Sequence, residues 1–168
     1  MILGMSAGTF TALHVLISLI GIATGLVVLF GLLGNRWLPG WNAVFLWTTI
    51  LTSVSGFGFP FSLDHLLPSH KVGILSLILL AVALVALYGK RLEGGWRRAY
   101  VYTAMIAEYL NVFVLVVQAF LKVPALHALA PNGKEPPFAL AQGVVLVLFA
   151  WLIHRAAGRF RGAPASAR

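Results

Sequence analysis

Five long apolar stretches, separated by short loops rich in glycine, proline and charge, leave this chain few ways to fold. They cover residues 10–33, 41–59, 72–88, 99–121 and 138–154. Each matches the run of about 17 to 25 residues that a helix needs to cross a bilayer core. Connections such as GNRWLPG and GKRLEGGWRR carry the residues of interfacial turns. Lipid offers no partner to a backbone amide, so such segments must bond internally, as helices. The expected fold is an all-α polytopic membrane bundle of five transmembrane helices over residues 1–160, with a disordered small-residue tail at 161–168. Only 10% of the 168 residues are charged, against about a quarter in soluble domains.

The formal charge of +8 suggests nucleic acid until its distribution is considered. Lysine and arginine sit in short loops beside apolar segments, where they set topology and meet anionic lipid. With five spans and the N-terminus outside, nine basic residues fall inside: Arg36, Lys90, Arg91, Arg97, Arg98, Arg155, Arg159, Arg161 and Arg168. Three, Lys71, Lys122 and Lys134, fall outside. That bias predicts an N-out, C-in protein with the bilayer, and no nucleic acid, as its partner. The absence of cysteine removes disulfides, thiolate metal sites and iron–sulfur clusters.

The fourth stretch is the most informative. Glu108, Asn111, Gln118 and Lys122 recur at helical spacing and fall within roughly 80° of one another. A polar stripe is expensive against lipid, so other helices must cover it, and an intramembrane carboxyl is a functional candidate by default. Glu108 is expected to relay a proton, to hold a ligand, or to bond structurally to Asn111 or Thr52. Depth along each helix places His14, Ser55, His70, Gln118 and Gln142 in one layer of the outer half. The expected site is an outward cleft with its floor near Glu108, held by Asn111, Gln118, Gln142 and Ser55. The first stretch contributes GIATG at 21–25, a GxxxG pattern read as close helix packing.

Histidines add a second possibility. His14, His65, His70 and His127 are all on the outer side. In FPFSLDHLLPSHKVG, Asp64, His65 and His70 share a loop, and with His14 they are candidate ligands for zinc or copper. His14 and His70, on different helices at similar depth, are alternatively an axial pair for haem b. Phosphate-cradling loops, HExxH and the GxSxG elbow are absent from the sequence, so hydrolysis and phosphoryl transfer lack the groups they need.

The runs TALHVLISLIGIATGLVVLFGLL, TTILTSVSGFGFPF, PSHKVGILSLILLAVALVALY and YLNVFVLVVQAFLKVPALHALAP together resemble a group of small bacterial multi-pass inner-membrane proteins. The resemblance covers most of the chain and implies a bacterial inner-membrane location, without implying an activity. The layout is also similar to small haem- or quinone-handling membrane subunits, with histidines at helix ends on one face. Cytochrome b561-type proteins carry paired histidines at both faces; here the inner partner is missing, which argues against a two-haem relay. Three functions follow as expectations. The first is a redox-associated subunit binding haem b or quinone. The others are a small proton-coupled transporter centred on Glu108, and an accessory subunit that meets other membrane subunits or a second copy of itself.

Overall fold

The computed structural model describes residues 4–59 and 68–162. The described chain is all-α, 83% helical and without strands. Its helices are α1 (Ala7–Leu33), α2 (Pro39–Ser55), α3 (Pro68–Leu84), α4 (Trp96–Lys122), the short α5 (Pro124–Leu129) and α6 (Pro136–Arg159). Four of these, α3 counted with the wider π-turn Val85–Gly89 that ends it, are long and apolar enough to cross a membrane, with mean hydropathy of 1.9 to 2.6. The fifth expected span, α2, has 17 residues and runs on into a 3-10 turn at Gly56–Gly58. Their outer surfaces are apolar: Leu16, Phe30, Trp47, Leu140 and Val147 are all exposed.

Local chemistry sets the ends. Ser6 caps α1, its hydroxyl accepting the Thr9 N–H at 3.1 Å, while α2, α5 and α6 each begin with proline in the first turn, where no N–H is missed. Within the helices, Ser18, Thr24, Thr48 and Thr103 donate their hydroxyls to the carbonyl one turn back. This back-bonding satisfies a hydroxyl in an apolar medium without another helix.

Side-chain pairs fix the directions. His14 meets Ser55, and Ser53 meets Ser76, so α1 and α3 both run opposite to α2. Tyr100 bonds to Asn42 and Asn111 to Thr49, so α4 runs with α2. Gln142 reaches the carbonyl of Phe113, and Phe138 packs on Phe120, so α6 returns beside α4. The interior mixes small residues with large apolar ones such as Phe45, Leu29 and Leu80. Ala83, Ala86, Ala104, Ala107 and Ala156 are fully buried among larger core side chains. That composition lets helices approach closely where burial of apolar surface gives no advantage over lipid.

One end of the bundle gathers the basic residues of the α1–α2 and α3–α4 loops and of the end of α6. There Asn35, at φ 54°, accepts the Arg161 N–H at 2.7 Å, and Arg97 donates to the Arg161 carbonyl at 3.1 Å. Trp37 packs on Tyr100 and Phe160. At the opposite end, Glu135 caps the loop before α6. Desolvation raises its pKa, but N–H donors of Lys134, Asn132 and Glu135 itself, with the Asn132 side-chain amide, outweigh that and hold it down to about 2. A depressed folded pKa stabilises above the unfolded value, near 4.3, and the benefit fades as pH falls toward 2. The Glu135 carboxyl resonance should therefore titrate well below 4.3 in an NMR experiment, and Asn132→Ala should move the midpoint upward. A midpoint at the ordinary value would show that the cap does not form.

Candidate functional site

The half of the bundle away from the basic end encloses a cavity of about 490 Å³ between α1, α2, α3 and α4. Its rim carries Thr11, Ser69 and Lys122, the first turns of α1 and α3 and the last of α4. Its walls carry Val15, Leu19, Val114 and Leu115 among the polar His14, Ser18, Ser53, His70, Ser76 and Gln118. At its depth are Ile22, Leu110 and Asn111. Pockets of this size, mostly apolar with a few placed polar groups, are the ordinary form of a small-molecule site.

The polar groups are held by specific bonds. His14 Nδ1 lies 2.8 Å from the Ser55 hydroxyl, which is itself 3.2 Å from the Thr52 carbonyl. Ser55 has one proton to give. If the proton goes to the carbonyl, His14 Nδ1–H donates to serine and its other nitrogen is an acceptor. If it goes to Nδ1, the other nitrogen bears hydrogen and donates. Moving one hydroxyl proton thus changes what His14 presents to the cavity. Phe59 packs edge-on to the His14 ring at 5.2 Å, and Phe57 stacks on His70 at 5.7 Å. Ser53 donates to Ser76 at 3.2 Å, joining α2 to α3.

Asn111 is half-buried at the floor, its amide donating to Thr49 at 3.2 Å. Glu108, one turn nearer the basic end, is fully buried. Neither carboxyl oxygen makes a hydrogen bond, although the Asn111 amide is near enough to act on it. The carboxyl occupies the place where a Cβ on Gly25 would stand. Gly21, one turn away on α1, faces the Thr48 and Thr49 hydroxyls. The GIATG motif is therefore one glycine for α2 and one for the Glu108 carboxyl.

Of the residues singled out in the sequence, His14, His70, Asn111 and Gln118 line one cavity. Ser55 orients His14 from behind, and Glu108 lies beneath the floor. Gln142 is elsewhere: it is on α6, its amide donating to the Phe113 carbonyl at 3.1 Å. Asp64 and His65 lie outside the described residues. Among the described residues no three histidine, aspartate or glutamate side chains gather as a metal would require. Ser18 and Ser76 complete the walls without having been singled out as site residues, and Lys122, the end of the polar stripe, stands at the rim; Ser18 had a signal, since it follows His14 by one turn. The chain matches no protein-family model, no curated protein and no solved structure.

Proposed function

We propose that this is a five-pass protein of the bacterial cytoplasmic membrane, N-out and C-in, whose outward-facing cavity binds a small lipid-soluble quinone. The gathering of basic side chains at one end of the bundle supports the orientation through the positive-inside bias. The antiparallel path of α2 supports a fifth crossing despite its 17 residues. The location follows the resemblance of the sequence to small bacterial inner-membrane proteins.

The His14–Ser55 pair carries the choice of ligand. A quinone presents carbonyl acceptors and its reduced form presents hydroxyl donors. A single side chain able to offer either N–H or a lone pair serves both forms without rearrangement. Gln118 supplies both donor and acceptor groups in the same wall, and the aliphatic residues between them suit a hydrophobic ring. A redox-associated subunit needs no covalent chemistry of its own to use such a site; it needs to hold the carrier where a partner can reach it.

Photocrosslinking of the purified protein with an azido-quinone tests this. Adducts are expected on residues lining the α1–α4 cavity, with competition by unlabelled decylubiquinone. His14→Ala and Ser55→Ala should each weaken binding by about tenfold, the loss of one hydrogen bond in a dry site. Adducts spread over the lipid-facing surfaces and indifferent to competitor would sink the reading. A Soret band in the purified protein that disappears in both His14→Ala and His70→Ala would replace quinone with haem b.

A further inference from the structure

The buried carboxyl of Glu108 has no role in holding a quinone, and its surroundings do not make it a structural ion pair. Helices α1 and α2 contain no aspartate, glutamate, lysine or arginine. Lys71 on α3, Arg97, Arg98 and Lys122 on α4, and Arg155 and Arg159 on α6 are confined to helix ends. Among the described residues, no cation or second acid is placed beside the carboxyl. An isolated charge in so dry a place is prohibitively expensive, so the group holds its proton. Neither oxygen has a well-formed hydrogen bond among the described residues, and the Asn111 amide is the neighbour that acts on the carboxyl. Space for the group is made by Gly25, while Asn111 both touches the cavity and acts on the carboxyl.

We infer that Glu108 is a proton-binding site served from the cavity, with Asn111 as the connection between the two. Asn111 has an amide donor and a carbonyl acceptor. A small rotation of either side chain exchanges the Thr49 contact for one between Asn111 and the acid. That motion opens a path from the cavity floor to Glu108 without exposing the carboxyl to lipid. Protons then reach and leave Glu108 from the outer side, the side from which the cavity is entered. The inference rests on the proposed outward cavity but not on the identity of its ligand.

Dicyclohexylcarbodiimide is a suitable probe because it is apolar and reacts with protonated carboxyls. The acid proton passes to one carbodiimide nitrogen and the carboxyl oxygen bonds to the central carbon. Acyl migration to the other nitrogen leaves a stable N-acylurea that retains every atom of both reactants. The chain has no cysteine, so a thiol introduced by Ser18→Cys or Gln118→Cys is unique and can be capped with a bulky maleimide to plug the cavity. Val147→Cys, 70% exposed on the far face of α6, is the control.

In the otherwise wild-type protein, mass spectrometry should find the acylurea on Glu108. Capping either cavity cysteine should abolish the modification; capping the control should leave it intact. Lack of reaction at Glu108 in the uncapped protein would overturn the inference, as would labelling indifferent to the cavity plugs, which would mean access from lipid. No quinone enters the experiment, so a failure of the quinone reading would not be mistaken for a failure of this one.

Discussion

Gly25→Ala should destabilise the bundle by about 1–3 kcal/mol, the range for forcing a methyl group into a filled interior. The sign is the informative part. In the middle of an exposed helix the same substitution stabilises by roughly 1 kcal/mol, because alanine is the better helix former. Here the new Cβ collides with the carboxyl group of Glu108, which is itself fully buried and must turn into other space within the packed interior. Glu108→Ala removes the obstruction, so in that background Gly25→Ala should be close to neutral. A double-mutant cycle measured by unfolding in mixed detergent micelles should thus give a large coupling between the two positions. Additive effects would show that the two side chains do not share the space. Gly21→Ala provides an internal scale: its Cβ would stand 3.2 Å from the Thr48 hydroxyl, which can rotate away, so a smaller effect is expected.

Tyr100→Phe should be the costliest loss of a single oxygen atom in the protein. The phenol donates to the Asn42 carbonyl oxygen, and both residues are buried at the junction of α2 and α4. Removing the donor leaves an amide oxygen in a dry, apolar setting, a loss of about 1–3 kcal/mol. Replacing Asn42 with leucine as well should recover much of that loss, because a pair removed together leaves no orphan. Melting of the purified variants, followed by the loss of a monodisperse elution peak, reads both steps. If Tyr100→Phe melts like the wild type, the bond contributes nothing and the tyrosine is held by Trp37 and its other ring contacts alone.

The helices were visible in the sequence because lipid imposes so severe a rule: long apolar runs have one way to satisfy their backbone. What surrounds Glu108 was visible only in part. Polar spacing on α4 marked the stripe, and depth along each span brought His14, His70 and Gln118 to its level. Periodicity cannot say which neighbour each face meets. Gln142 has the right depth yet bonds to α4 away from the cavity. Gly25 read as generic small-residue packing, since a glycine in a GxxxG motif does not announce whether a backbone or a carboxyl will fill its groove. Of the partners expected for Glu108, Asn111 is the neighbour that acts on its carboxyl, and it also donates to Thr49, a contact that spacing along α4 could not foretell. Short α5 escaped notice because its six residues are too few for a hydrophobic period.

The pairing of α2 with α4 across an intervening helix has a consequence for how the protein is made. Asn42 and Thr49 are made with α2, but the tyrosine and asparagine that meet them arrive only with α4, after α3 has been synthesised. During that interval the nascent hairpin of α1 and α2 lacks the side chains that meet this amide and hydroxyl in the folded bundle. Arg161, bonded to Asn35, then ties the segment after α6 back to the α1–α2 loop, so this contact too joins parts of the chain that are made far apart in time.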